Sequence, residues 1–159
     1  MVEAVFMLIA AVAAIGLIRL YALVRLHTAE LRVVYAQRFF DLAGKIADDD
    51  RVDDALLDEI RSMTERLTDS GSFWAFRDAV EAASSGQAAP TAARRAMPAD
   101  LERDWGHLVQ AWLIAMSCLR PLAGLAMRSK LLALANGSGD AQTSRILRWA
   151  EVRLNLRHA

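Results

Sequence analysis

The residues that could bind a metal ion in this chain are an acidic run, three histidines and one cysteine. Asp48, Asp50 and Glu59 have the spacing of positions 1, 3 and 12 of a calcium-binding EF-hand loop. The rest of the loop does not fit, because position 5 is Val52 and position 6, where glycine makes the turn, is Asp53. We therefore expect the acidic run to cap a helix and to be solvated, and we expect no calcium.

The histidines and the cysteine do not have the spacing of a metal or catalytic site. His27, His107 and His158 are far apart in the sequence. The single Cys118 excludes an intramolecular disulfide and a multi-cysteine metal site, and its apolar surroundings predict a buried thiol. Ligation of a haem or pigment in a larger assembly stays an alternative for His27, and the question is also open for His107.

Sequence signatures of catalysis and of nucleic-acid binding are also missing. The chain has no glycine-rich phosphate loop, GxSxG elbow, HExxH motif or paired nucleophile and base. We predict that it is not an enzyme, and we infer no cofactor and no small-molecule substrate. Lys and Arg number 19, as do Asp and Glu, and this neutral balance disfavours a nucleic-acid partner. Residues 28–70 are net acidic and residues 100–159 net basic, which favours docking between these regions or partners of opposite charge.

The first 27 residues have the length and composition of a transmembrane helix. From Ala4 to Val24 an α-helix would extend about 31 Å, close to the thickness of the hydrocarbon core. The only charge before the apolar run is Glu3, whereas Arg19 and Arg25 come late in it or after it, unlike a secretory signal. We therefore predict an uncleaved anchor, with the buried core helix of a soluble protein as the alternative.

The basic residues predict how this anchor is inserted. Arg19, Arg25 and Arg32 place the N-terminus outside and the C-terminal part in the cytoplasm of a bacterial inner membrane. Arg19 would extend to the lipid headgroups beside Tyr21, an expected interfacial aromatic. The alternative is an ion pair between Arg19 and an acidic residue on a partner's membrane helix.

The remaining sequence predicts helices, so the fold class is all-α: one N-terminal transmembrane helix that continues into a cytoplasmic helical hairpin or bundle. Residues 1–27 are the anchor, 28–85 a helical stalk and hairpin with the acidic segment, and 86–99 a linker rich in alanine and proline. Residues 100–159 are an apolar helix and a basic C-terminal helix on the same bundle. The apolar stripes of the stalk and hairpin are Leu31, Val34, Tyr35, Phe39, Leu42 and Ile46, then Val52, Leu56, Ile60, Met63 and Leu67.

The apolar helix after the linker has two interpretations. We predict Asp100 as its N-cap, and 108–127 is long enough for a second span. Arg120 and Pro121 lie inside that run, and they favour a buried or membrane-surface helix with a kink at the proline. The sequence NGSGD, 136–140, is predicted to end this helix and to begin the last one, with Asp140 as N-cap.

The side chains predicted to contact a partner or the membrane are charged or aromatic. For the aromatic cluster of 73–76, a docking patch, a membrane contact and a place in the core of the bundle are all open, and the core is favoured. The full set is Arg19, Tyr21, Arg25, Phe73, Trp74, Phe76, Trp105, Trp112 and Trp149.

These features predict an accessory, assembly or scaffold subunit of a membrane protein complex. The expected partners are the other subunits and the lipid bilayer. One alternative is a membrane-tethered regulator or adaptor that binds a soluble cytoplasmic protein. Another is a pore-forming or lytic protein, which would need 108–127 to be a second span.

Overall fold

The computed structural model describes residues 2–69, 71–84 and 97–136. All regular elements within these ranges are α-helices, in agreement with the predicted all-α class. Most of the 86–99 linker and the predicted last helix, with Asp140 and Trp149, lie outside the described residues. The helices are α1 (Val2–Ala47), α2 (Asp54–Thr68), α3 (Ser72–Ser84), α4 (Ala99–Ser117) and α5 (Ala123–Asn136).

The first helix, α1, is continuous over 46 residues, as the absence of proline between its two parts predicts. Among the described residues it is the one helix long and apolar enough to cross a membrane, and none of its most apolar stretch is buried. Its first buried side chain is Thr28, followed by Phe39, Ala43 and Ile46. The core helix of a soluble protein is normally covered over its apolar part, and within this chain that part of α1 is exposed.

The second helix forms where the acidic run predicts it. The Asp53 carboxylate accepts a hydrogen bond from the backbone N–H of Leu56 at 3.0 Å, which satisfies one of the unpaired donors of the first turn. The predicted stripe is buried at Leu56, Ile60, Met63 and Leu67. In the predicted α1 stripe, Phe39 and Ile46 are buried, and Tyr35 and Leu42 pack partly on the core. Val34 is instead 60% exposed, because it points away from the face that Phe39 and Ile46 share.

The fourth helix lies at the centre of the described chain and packs most extensively along α1. At its start, Asp104 pairs with Lys45 near the end of α1, at 2.7 Å. Further along, the Trp112 indole N–H donates to the carbonyl of Met63 in α2. The guanidinium of Arg32 donates to the Leu67 carbonyl at 3.1 Å, so the end of α2 lies beside Arg32 in α1.

Two details of the sequence analysis are wrong in this region. Residues 108–127 are not one kinked helix, since α4 ends at Ser117 and α5 begins at Ala123. Pro121 has no backbone N–H to continue the helical hydrogen bonds, and residues 118–122 form a turn between the two helices. Asp100 is not the N-cap of α4: Pro98 holds that position, and Asp100 lies in the first turn, where a carboxylate favours the positive end of the helix dipole.

Candidate membrane and partner-contact surfaces

The first candidate surface is the exposed part of α1 that includes the predicted contact residues Arg19, Tyr21 and Arg25. All three side chains are exposed to the surroundings of the helix. Successive residues turn by about 100° around a helix, so Arg19 lies opposite the buried Thr28, nine residues later. Arg19 therefore projects from the side of α1 that faces away from the other helices, and it is free to meet lipid or another protein.

Beyond the apolar stretch, the same side of α1 still carries large apolar side chains. Leu26, Val33 and Phe40 are 59%, 65% and 51% exposed. They follow Arg19 at intervals of seven residues, about two turns of helix, so the four side chains share one face. We call this set, Arg19, Leu26, Val33 and Phe40, the outer face of α1. The sequence analysis missed it, although the seven-residue spacing was a signal that would have found it.

A second exposed group lies on the other helices. Trp74 at the start of α3 is 46% exposed, and the guanidinium of Arg77 lies 4.8 Å from its ring centre. This distance is within the range of a cation–π contact. Leu122 and Leu125, at the turn between α4 and α5, are also more than half exposed. Of the predicted aromatic contact residues outside α1 that the structure describes, Trp74 is therefore the one at the surface.

The other predicted aromatic residues lie in the core of the chain itself. Phe73 and Phe76 have no accessible surface, Trp105 is 8% exposed, and Trp112 is fully buried. The Phe76 and Trp112 rings meet edge to face with their centres 6.0 Å apart. In this conformation the four side chains have no surface to offer a partner, which fits the core alternative for the 73–76 cluster at Phe73 and Phe76.

The acidic segment is engaged in contacts within the chain. The Arg51 guanidinium bonds Asp49 at 2.6 Å and Asp100 at the start of α4 at 2.7 Å. The hydrogen bonds from Arg51 lower the pKa of Asp49 to about 2, and the same guanidinium lowers the pKa of Asp100. The net acidic and net basic regions thus do meet. Among the described residues, however, the Arg51–Asp100 and Lys45–Asp104 pairs join cations of the acidic region to carboxylates of the basic one.

The structure also gives a role to a basic residue that the sequence analysis did not single out. Arg128 of α5 is 4% exposed, and its guanidinium donates to the carbonyls of Ser117 and Pro121 at 3.3 and 3.0 Å. It also lies 3.6 Å from the sulfur of Cys118, whose thiol is buried as predicted. The guanidinium thus satisfies the last carbonyl of α4 and one carbonyl of the turn that follows it. This contact holds the α4–α5 turn closed.

Among residues 2–69, 71–84 and 97–136, no group of three or more histidine, cysteine or acidic side chains is arranged to hold a metal ion. His27 and His107 are both exposed. Comparison of the chain with protein-family models, curated proteins and solved structures finds no match. What can be inferred about its function therefore rests on the exposed surfaces of its own helices.

Proposed function

We propose that this chain is a single-pass protein of the bacterial inner membrane that acts as an accessory, assembly or scaffold subunit of a membrane protein complex. In this proposal α1 crosses the bilayer with its N-terminus outside. The stalk and α2–α5 form a helical hairpin within a small cytoplasmic bundle. The observation that carries the proposal is the outer face of α1, because it stays apolar after the helix has left the bilayer.

The argument from the outer face depends on where its residues lie. Exposed apolar side chains between Val2 and Val24 would be covered by lipid, so they need no protein partner. Val33 and Phe40 are nine and sixteen residues past Val24, or about 14 and 24 Å along the helix, which places them beyond the hydrocarbon core. Single exposed apolar residues are ordinary in proteins, but an aligned set that continues a membrane helix is typical of a protein interface.

The orientation can be tested by labelling, because the one native thiol is buried. We expect Val2→Cys to react in intact cells with a membrane-impermeant maleimide. Asp58→Cys, on the exposed side of α2, should react only after the inner membrane is opened. The wild-type chain with Cys118 alone is the control and should stay unlabelled in both conditions. Labelling of Asp58→Cys in intact cells would contradict the proposed orientation.

Membership of a complex is tested by purifying the full-length chain from native membranes in a mild detergent and identifying retained proteins by mass spectrometry. We expect at least one other membrane protein to be retained at a constant ratio. Val33→Glu and Phe40→Glu should reduce its recovery by roughly tenfold, since each places a charge in the apolar contact. Asp58→Lys, an exposed change on another helix, is the control. A chain that migrates alone from these membranes would contradict the proposal.

Trp74 and Arg77 favour a second candidate, a membrane-tethered regulator that binds a soluble protein. Exposed tryptophan and arginine are the residues most enriched where proteins bind one another. For this candidate, Trp74→Ala would release the retained protein while Val33→Glu would not. The pore-forming alternative has no such support, because α4 ends at Ser117 and its side chains from Ala111 to Ser117 are buried by the chain's own helices.

A further inference from the structure

We propose that the outer face of α1 binds one helix of a different membrane protein, and that this helix carries a carboxylate at the depth of Arg19. This inference rests on the proposed function and names the chemistry of the partner. It follows from three observations: the spacing of side chains along α1, the side on which they lie, and the one charged residue among them.

The side chains along α1 include a set that is spaced to pack lengthwise on another helix. One series of side chains begins at Val5 and recurs every seven residues. A second series begins three residues later, at Leu8, and has the same spacing. Together they place a side chain after three and then after four residues in turn. This pattern produces a seam with a left-handed twist, along which a second helix can stay in contact. Arg19 is its one charged member. The seam is Val5, Leu8, Val12, Ile15, Arg19, Ala22, Leu26, Ala29, Val33, Ala36 and Phe40.

The seam lies on the side of α1 that the rest of the described chain leaves open. The buried side chains Thr28 and Ile46 lie opposite Arg19, whereas the buried Ala43 lies beside the end of the seam at Ala36 and Phe40. On the seam, the apolar side chains of Leu26, Val33 and Phe40 are each more than half exposed. Between them come Ala29, which is exposed, and Ala36, which is half-buried. Small side chains such as these let another backbone approach closely. The seam therefore has the shape needed for a helix that continues from the membrane into the stalk region.

Arg19 determines which kind of helix can occupy the seam. Two copies of this chain, paired in parallel as their common insertion requires, would bring two guanidinium groups together at the same depth. Two guanidinium groups held close together repel each other, and this disfavours a pair of identical copies. A carboxylate at that depth instead offers Arg19 an ion pair in place of the lipid headgroups that it would otherwise reach. The chain's own C-terminal residues 141–159 contain four arginines and a single carboxylate side chain, so they are also a poor match.

Two adjacent valines provide a matched test of the seam. Val33 and Val34 are the same residue type and are exposed to 65% and 60%, but they point about 100° apart and only Val33 is on the seam. A photo-crosslinking amino acid is placed at Val33, Phe40 or Val34 of the full-length chain in native membranes. We expect adducts with one other membrane protein from Val33 and Phe40, and at least tenfold less of that adduct from Val34.

The role of Arg19 is tested in the same experiment. With the crosslinker at Val33, Arg19→Leu should lower the adduct about tenfold, whereas Arg19→Lys should retain most of it, because lysine keeps the positive charge. In the partner, neutralising the acidic residue at that depth should have the same effect as Arg19→Leu. An unchanged adduct in Arg19→Leu would overturn the ion pair.

The other possible occupants of the seam each give a different product. An adduct of two copies of this chain, an internal adduct to residues 137–159, or adducts to lipid alone would overturn the inference. If the partner is still retained on purification but is not crosslinked from the seam, the inference fails while the proposed function stands. If no partner is retained at all, both fail.

Discussion

Replacement of Trp112 by alanine should lower the free energy of unfolding by about 3–5 kcal/mol, the usual loss for a large buried aromatic side chain. The indole is fully buried at the centre of α4. It packs against Phe76 of α3, and its N–H donates to the Met63 carbonyl of α2 at 2.9 Å. The substitution therefore removes apolar contacts with α3 and a hydrogen bond to α2 in one step, and it leaves a cavity where three helices meet.

The loss is measured by denaturant unfolding of the full-length chain in detergent micelles, followed by circular dichroism. Trp74→Ala is the matched control, and it should cost no more than about 1 kcal/mol because that ring is exposed and its contact with Arg77 is at the surface. Trp112→Phe should fall between the two, since it keeps most of the packing and loses the hydrogen bond. Equal midpoints for Trp112→Ala and Trp74→Ala would show that the indole is not a core contact.

The sequence predicts a buried stripe well where the apolar residues of a helix can all face only one side. In α2, the residues between Ile60, Met63 and Leu67 are all polar, so the stripe fits only one side of the helix, and that side is buried. Leu57, next to the buried Leu56, lies at the edge of that side and is half-buried. In the stalk, Val34 and Tyr35 are adjacent and both fit a three- or four-residue step. Only the position of α4 against α1 decides that Tyr35 packs on the core while Val34 is exposed.

Composition alone could not predict whether the apolar run after Leu108 lies in lipid or in the core of the bundle. A helix that is apolar on all sides is suited to lipid and equally to the centre of a bundle, because both surroundings lack water. The distinction comes from what surrounds it, and in the structure α1, α2, α3 and α5 all contact α4. Arg128 was likewise unpredictable, since a basic residue is normally at the surface and its burial depends on the carbonyls of Ser117 and Pro121 nearby.

The candidate site was only partly predictable for a related reason. Arg19, Tyr21 and Arg25 were identified because charges and aromatic rings stand out within an apolar segment. Val33 and Phe40 do not stand out in a stalk that is apolar on two sides. They become candidates only when the structure shows which of the two sides is covered by the other helices. The covered side holds the fold together, and the open side is the one left for another molecule.

The turn between α4 and α5 gives the second large expected effect, at Gly124. Gly124→Ala should lower the free energy of unfolding by about 1–3 kcal/mol, as overpacking of a tight contact usually does. A methyl group on Gly124 would overlap the carbonyl of Ser117 and would approach the Arg128 guanidinium to 3.6 Å. Relief of the overlap requires α5 to move away from the end of α4. That movement would also weaken the bonds from Arg128 to Ser117 and Pro121.

The same substitution at Gly106 provides the control and should have the opposite sign. Gly106 lies within α4, and a Cβ there would have nothing within 4 Å, so alanine gains helix propensity without a clash. Gly106→Ala should therefore raise the free energy of unfolding by about 0.5–1 kcal/mol. Both changes add one methyl group to a glycine. Opposite changes in the free energy of unfolding would therefore assign the loss at Gly124 to its close approach to the Ser117 carbonyl. If both variants were stabilised, Gly124 could not lie close to the Ser117 carbonyl, and the α4–α5 turn would be wider than the Arg128 contacts imply.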